Sequence, residues 1–164
     1  MTLTLTVLAG CGRSNAPSAG DSHGDSLRFT VLDDTTGLSR GAALLDDFEV
    51  ERDPAGGVRA RGRLLLPDGA RAQITLSKPG ARDVLARTQV VVHDQRFESA
   101  PLLSGPGGLP AGVYRVELTC TFDSALQPAE VMAATADGRV LRGPGMVRGN
   151  NGIAAFVHTQ ELRL

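Results

Sequence analysis

Hydrophobic and polar residues alternate along most of the chain after residue 26, which is the pattern of strands that bury one face. The clearest example is 112–122, where Tyr, Val, Leu, Cys and Phe occupy every second position and Arg, Glu and Thr lie between them. A short helix capped by Ser39 is predicted between Ser39 and Asp47. The alternation predicts strands at 27–32, 48–52, 58–66, 71–77, 84–93, 96–100, 112–122, 130–136, 139–142 and 153–163.

Turn-forming residues separate these segments at short intervals. Many short strands with this spacing indicate an all-β domain, a two-sheet β-sandwich that covers 27–164. An Ig-like Greek key and a transthyretin-like sandwich share the spacing, so the strand order is left open. The turn signals lie at 53–57, 67–69, 94–95, 105–108, 137–138 and 150–152.

A local motif adds to this prediction. Residues 109–116 read Leu-Pro-Ala-Gly-Val-Tyr-Arg-Val and place a turn, a glycine and Tyr114 at the start of the clearest strand. The segment resembles the Leu-Pro-x-Gly-x-Tyr-x-Val segment of bacterial Ig-like, fibronectin-like and transthyretin-like modules. The resemblance implies an Ig-like or transthyretin-like sandwich in which the Tyr114 hydroxyl binds upstream backbone, as in a tyrosine corner. A shared fold does not determine a function.

Residues 1–11 form a weakly apolar run that ends in Leu8-Ala9-Gly10-Cys11, with the small residues typical of a signal cleavage site. This tetrapeptide resembles the lipobox of bacterial lipoproteins. In that family the cysteine thiol receives a diacylglycerol, the chain is cut just before the cysteine, and the new amino terminus is acylated. The resemblance implies that Cys11 is the lipidated first residue of the mature protein and anchors it to a membrane. The alternative is an ordinary thiol after a short Thr/Leu run.

The segments on either side of Cys11 extend this interpretation. A signal peptide has a basic start and about fifteen or more residues, whereas 1–10 contain neither Lys nor Arg. We therefore expect the translation start to lie upstream, with 1–10 as an incomplete signal segment. Residues 12–26 have no large apolar side chain, which predicts a flexible tether within 11–26. Gly12 follows Cys11 where inner-membrane lipoproteins tend to have Asp, so we expect outer-membrane delivery in a Gram-negative host.

Composition narrows the function classes. The 17 basic and 18 acidic side chains give a net charge of -1, which does not favour a nucleic-acid partner because such partners require a strongly basic face. No run approaches the about eighteen consecutive apolar residues of a membrane-spanning helix. The chain has no Trp and one Tyr, so the aromatic platforms that grip sugars are scarce.

The sequence contains no catalytic constellation, no cofactor motif and no metal motif of known spacing. His93 and His158, with Met132 or Met146, form a metal site only if the fold assembles them, and ordinary structural roles are preferred. The acidic pairs Asp33-Asp34 and Asp46-Asp47 lack the spacing of a calcium loop. Cys120 lies on the apolar face of its strand and is predicted to be a buried, inert thiol.

Arg59, Arg61 and Arg63 form the most distinctive surface feature, because alternate positions place all three on one face of one strand. Such a stripe is a candidate surface for anions or a partner, since guanidinium groups bind phosphates in a bidentate way. The favoured interpretation is local neutralisation. Glu49 and Glu51 alternate in the preceding segment, and a hairpin through 53–57 places them opposite the arginines.

These observations together predict a non-enzymatic lipoprotein of the cell envelope, anchored through lipid on Cys11, without cofactors. Its sandwich is expected to act as a binding or accessory module for another envelope protein, because sheet edges are docking sites for extended partners. The alternative is a cell-surface module that binds or processes carbohydrate. A metal-delivery lipoprotein is the less favoured third hypothesis, and the oligomeric state is left open.

Overall fold

The computed structural model describes the backbone of residues 29–31 and all atoms of residues 43–105 and 107–164. These residues form an all-β architecture with one short helix, α1 (Ala129–Thr135). The strands are β1 (Phe29–Val31), β2 (Leu45–Arg52), β3 (Val58–Leu64), β4 (Arg71–Ser77), β5 (Val84–Val91), β6 (Arg96–Glu98), β7 (Val113–Phe122), β8 (Met146–Gly149) and β9 (Ala154–Arg163).

The strands are arranged in two antiparallel sheets. Sheet A has the order β1-β8-β9-β7-β4-β5, and sheet B has the order β2-β3-β6. Along the chain, β5 in sheet A continues through a tight turn into β6 in sheet B. In sheet A, β5 lies at one end and has a strand partner on one side only among the described residues.

One hydrophobic core joins the two sheets, as expected for a β-sandwich. Sheet B contributes Val58, Ala60 and Leu64 from β3, all of them fully buried. Sheet A contributes the alternate residues of β4 and β7, so the polar residues between them face outward. The buried residues of β4 and β7 are Ala72, Ile74, Leu76, Tyr114, Val116, Leu118, Cys120 and Phe122.

Most of the predicted strands are present. The 71–77 prediction coincides with β4, and 58–66, 84–93, 112–122 and 153–163 correspond to β3, β5, β7 and β9 with small differences at the ends. The predictions at 48–52 and 96–100 correspond to β2 and β6. Within 27–32, residues 29–31 form β1, and the other positions lie outside the described residues. The two-residue period predicted the positions of these strands correctly because each of them buries one face.

The prediction of a strand at 130–136 is wrong, because Ala129–Thr135 form α1. Ala, Glu and Met are strong helix formers, and Pro128 at the N-cap has a φ of −59°, which its ring permits, and lies outside the helix interior that proline would break. The buried residues Val131 and Thr135 are four positions apart and share one face of a helix. The buried residues of this segment therefore follow helical spacing and not the alternation of a strand.

Two further predictions are corrected. Residues 139–142 form no strand, and the strand that pairs with β9 at this place is β8, in which Met146 lies opposite Phe156. Of the predicted helix at 39–47, residues Leu45–Asp47 belong to β2, and 39–42 lie outside the described residues. Asp47 has a φ of 53° at a register shift between Asp46 and Glu49, so β2 continues through a β-bulge.

Candidate functional site

The predicted hairpin between 48–52 and the arginine stripe is present. In the register of β2 and β3, Glu49 lies opposite Arg61 and Glu51 lies opposite Arg59. The stripe points away from the core, because Val58, Ala60 and Leu64 on the opposite face of β3 are buried. The antiparallel pairing therefore places a row of acidic side chains beside the row of guanidinium groups.

Arg59 has the densest set of contacts. Its guanidinium binds Asp53 Oδ2 at 3.0 Å and Glu98 Oε1 at 2.8 Å. The carboxylate of Asp53 also accepts a hydrogen bond from the backbone N–H of Ala55 at 2.9 Å, which stabilises the turn before β3. These bonds, from Ala55 and then from Arg59, lower the pKa of Asp53, and the two carboxylates raise the pKa of Arg59.

Arg61 and Arg63 are also paired. Arg61 lies 2.9 Å from a carboxylate oxygen of Glu49 and 3.4 Å from one of Glu51. Arg63 donates to the side-chain oxygen of Gln95 at 2.7 Å and lies 3.8 Å from Asp46. The hydrogen bond that Arg61 donates to Glu49, together with the nearby carboxylates, raises the pKa of Arg61. The stripe is therefore neutralised within its own sheet, and its use as a surface for anions or a partner stays a prediction.

The two histidines of the metal hypothesis lie in different environments. His158 is on the core-facing side of β9, where its ring meets Phe48 edge-on with centroids 5.0 Å apart. Burial lowers the pKa of His158. His93 lies exposed in the turn between β5 and β6, and Met132 and Met146 are buried in α1 and β8. Among the described residues, no group of three or more His, Cys, Asp or Glu side chains is arranged to hold a metal ion.

Cys120 is buried in β7, as predicted. Its Sγ lies 3.4 Å from the backbone oxygen of Arg71 and 3.6 Å from the side-chain nitrogen of Gln127. Burial raises the pKa of the Cys120 thiol to about 12. Within the described part of the chain it makes no disulfide. A thiol that is protonated at neutral pH is a poor nucleophile and a poor metal ligand.

Gln127 is a residue that the sequence analysis did not single out. It is buried, and its side-chain amide binds the backbone N–H and the backbone oxygen of Arg71 at 2.9 and 2.6 Å. The neighbouring Leu126 is 51% exposed. A buried glutamine that fixes this loop has no local sequence signal, because its partner Arg71 lies 56 residues away in the chain.

Sheet A carries a groove of about 390 Å³ on its outer face, which we call the β4–β5 groove. Leu126 and Gln127, from the loop after β7, line it together with residues of β4, β5 and β7. It lies beside β5, the terminal strand of the sheet. Its lining residues are Arg71, Ala72, Gln73, Arg87, Thr88, Gln89, Thr119, Thr121, Leu126 and Gln127.

The β4–β5 groove differs from the arginine stripe in its charge. Its lining includes Arg71 and Arg87 and no acidic residue. Neither guanidinium makes an ion pair or a hydrogen bond with any residue that the structure describes. The acidic residue in the same row of the sheet as Arg87 is Glu117, and that carboxylate binds Arg115 at 2.7 Å. The groove is therefore basic and uncompensated.

A second concavity, of about 680 Å³, lies where β6 meets β3. It is lined by both signs of charge, including Arg61 and Arg96 together with Asp47, Glu49 and Glu98. Because acidic and basic groups alternate there, it offers no net attraction for an ion of either sign.

Several sequence predictions concern residues outside the described part of the chain. They are the lipid-accepting Cys11, the signal segment 1–10, the tether within 11–26 and the acidic pair Asp33-Asp34. No helix in the described part is long and apolar enough to cross a bilayer. No protein-family model matches the chain, and no match is found among curated proteins or solved structures.

Proposed function

We propose that this chain is a membrane-anchored lipoprotein of the cell envelope whose β-sandwich is a non-enzymatic binding or accessory module for another envelope protein. The anchor is lipid on Cys11, and the segment 12–26 is the tether. Several acyl chains on one residue supply the affinity that stable membrane attachment requires. In a Gram-negative host, Gly12 favours the outer membrane.

The observation that carries the binding role is the outer edge of β5, which has no strand partner among the described residues. This strand has eight residues, contains no proline, and has Arg87 as its one charged residue. Val84 and Val91 near its ends are 42% and 40% exposed. Natural edge strands are usually shortened, interrupted or charged to prevent pairing, so a long and weakly charged edge favours strand addition by a partner.

The type of sandwich is part of the same proposal. Tyr114 is buried, and its hydroxyl donates a hydrogen bond of 2.7 Å to the backbone oxygen of Pro110, at the start of β7. This contact supports the Ig-like or transthyretin-like assignment that the 109–116 motif implies. Among folds of this kind, binding partners through strand edges is a common use of the scaffold.

The carbohydrate-binding alternative has less support. Sugar sites use exposed aromatic faces, and Tyr114 is 1% exposed with its hydroxyl already bonded. The described phenylalanines are also unsuited: Phe97, Phe122 and Phe156 are buried, and Phe48 packs against Phe97 and His158.

The anchor is tested by palmitate labelling in a bacterial host. The gene is expressed with its upstream DNA, beside a Cys11→Ala variant. We expect label in the wild type and none in the variant, which would also place Cys11 at the mature amino terminus. Absence of label in both, with an upstream start excluded by sequencing the transcript, would contradict the lipoprotein assignment.

The binding role is tested by photo-crosslinking in the same cells. A photoreactive amino acid replaces Gln89 in β5, and a control places it at Arg52, an exposed residue of β2 in sheet B. We expect a discrete adduct with an envelope protein, identified by mass spectrometry, from the Gln89 position alone. Equal adducts at both positions, or none at Gln89, would contradict the proposal that the edge is the docking site.

A further inference from the structure

We propose that the β4–β5 groove and the edge of β5 that has no described strand partner together receive an extended, acidic segment of the partner protein, which adds a strand to sheet A and places carboxylates on Arg71 and Arg87. This inference rests on the proposed protein-binding function and specifies the chemistry of the partner. Three features favour this occupant: the charge of the groove, the backbone edge of β5 and the apolar residues at the ends of β5.

The charge comes from Arg71 and Arg87, whose side chains both lie on the outer face of sheet A. In the register of β4 and β5, Arg71 lies opposite Val91 and Arg87 lies opposite Thr75. Both side chains are exposed and bind no described carboxylate, while Arg59 and Arg61 on the other sheet are bound. Two positive charges that have no counter-charge among the described residues favour a negatively charged occupant.

The backbone edge gives the occupant its conformation. A peptide that pairs with β5 runs along its free side about 4.8 Å away, the ordinary spacing of neighbouring strands. Its side chains then alternate between the outer face and the core-facing side. Acidic residues at alternate positions therefore all reach the outer face, where the arginines lie.

Leu126 in the groove and the exposed valines at the two ends of β5, outside the groove, offer apolar contacts for the occupant. Val84, Arg87, Gln89 and Val91 share the outer face of β5, so two exposed valines flank its polar centre. Leu126 lines the groove from the loop after β7 and is fixed in place by Gln127. The amide and hydroxyl groups that line the rest of the groove donate and accept hydrogen bonds from a polar peptide.

The experiment is the selection of a random peptide library on the full chain carrying Cys11→Ala, which removes the lipid. Enriched peptides are synthesised, and their dissociation constants are measured by fluorescence anisotropy at low and high salt. We expect enrichment of β-forming sequences with Asp or Glu at alternate positions. Binding should weaken as salt rises, because exposed charge pairs are screened.

Two matched double variants locate the binding site. Replacing Arg71 and Arg87 by Gln should weaken binding of an enriched peptide by about tenfold, since each exposed charge pair contributes up to about fivefold. Replacing Arg61 and Arg63 by Gln removes the same charge from the other sheet and should leave the affinity unchanged. Hydrogen exchange of the β5 amides should slow when the peptide is bound.

The strand-addition step is tested on the peptide, so the protein is not altered. Methylating alternate backbone nitrogens of the peptide removes the donors that pair with β5 and should abolish binding, whereas methylating the intervening nitrogens should have a small effect. Equal loss from both patterns, or no protection of β5, would show that the peptide does not extend the sheet and would overturn the proposal.

The possible results separate this inference from the proposed function. Uncharged peptides that protect β5 and respond to one methylation pattern would overturn the acidic selectivity and leave the protein-binding function in place. No enriched peptide, together with no adduct at Gln89 in cells, would overturn both. Binding of an anionic polysaccharide that depends on Arg71 and Arg87, without peptide binding, would overturn the inference in favour of the carbohydrate alternative.

Discussion

The side-chain amide of Gln127 binds both backbone polar groups of Arg71, at 2.9 Å to the N–H and at 2.6 Å to the oxygen. Strands β4 and β7 are paired from Gln73 opposite Thr119 onward, and two residues further in that register Arg71 would lie opposite Thr121. Gln127 also donates to the backbone oxygen of Thr121 at 3.0 Å. One side chain therefore continues the ladder where the two strands separate.

Gln127→Ala should lower the free energy of unfolding by about 1–3 kcal/mol, because backbone groups of Arg71 and Thr121 lose partners in a partly buried place. Gln127→Glu should lower the free energy of unfolding further at neutral pH, because the new carboxylate would lie against the backbone oxygens of Arg71 and Thr121 and repel them. Urea unfolding of the three proteins measures both effects. A Glu variant as stable as the wild type at neutral pH would contradict this account of the amide.

Tyr114→Phe should lower the free energy of unfolding by about 1 kcal/mol, because it removes the hydrogen bond to the Pro110 oxygen and leaves the ring in place. Thermal unfolding followed by circular dichroism is the measurement. Thr159→Val, which removes a hydroxyl from the exposed outer face of β9, is the control and should have little effect. Equal stability of Tyr114→Phe and wild type would show that the corner bond contributes nothing.

Asp53→Asn should lower the melting temperature at neutral pH, because the charged form of Asp53 binds the Ala55 N–H and the Arg59 guanidinium. The pKa of Asp53 is lowered in the folded protein. The stability that its charge supplies is therefore present above the ordinary value of 3.8 and is lost as the pH falls through the folded pKa. Melting curves of both proteins should converge in acid.

The control for that measurement is Glu51→Gln, which removes an exposed carboxylate that lies 3.4 Å from Arg61. It should change the melting temperature much less at every pH. A constant difference between Asp53→Asn and wild type down to strongly acidic pH would rule out the linkage.

Cys120 should resist alkylation at neutral pH in the folded protein and react once the protein is unfolded in urea. A pKa raised to about 12 leaves roughly a thousandfold less thiolate than an ordinary thiol has. Iodoacetamide labelling of a Cys11→Ala variant, followed by mass spectrometry, isolates this thiol. Rapid labelling of the folded protein at neutral pH would contradict the assignment of Cys120 as a buried, unreactive thiol.

Because the pKa of Cys120 is raised in the folded protein, the protein should also lose stability as the pH rises above the ordinary thiol value of 9.0.

Reversing Arg59 and Arg61 to Glu should lower stability and leave binding to anionic vesicles unchanged, because both guanidinium groups are already paired with carboxylates. The reversed side chains would face Asp53 and Glu49 as like charges. Vesicle co-sedimentation of the Cys11→Ala protein tests the binding. Reversing Arg82 and Arg163 instead makes the same change in net charge at exposed positions and should affect neither property. Loss of vesicle binding when Arg59 and Arg61 are reversed, but not when Arg82 and Arg163 are, would contradict this prediction and support the arginine stripe as a surface for anions.

Much of the sheet was predictable from residue order. The β4 prediction had the observed bounds, and the β2–β3 hairpin was expected with acidic residues facing the arginines. Both succeeded because a two-residue period and a turn are local features. The helix α1 was predicted as a strand, because its short apolar pattern is compatible with both strand and helix spacing. Only the structure shows that Val131 and Thr135, four positions apart, are both buried.

The candidate site was predictable only in part. Arg71 and Arg87 both lie in predicted strands, yet nothing local shows that the two arginines share one face beside an unpaired edge. The position of Gln127 between β4 and β7 depends on Arg71, which is 56 residues away along the chain. Strand β8 was not predicted for the same reason: it forms by pairing with β9, and its own residues carry no clear strand pattern.

The order of residues determined which segments are extended, which positions of each strand are buried, and that the chain carries a lipobox-like Cys11, because these depend on local periodicity and spacing. The tertiary structure decided which strand lies at the end of sheet A, which arginines have carboxylate partners, and what closes the gap between β4 and β7. These outcomes depend on which distant strands meet, and pairing between strands is selected by burial over the whole core.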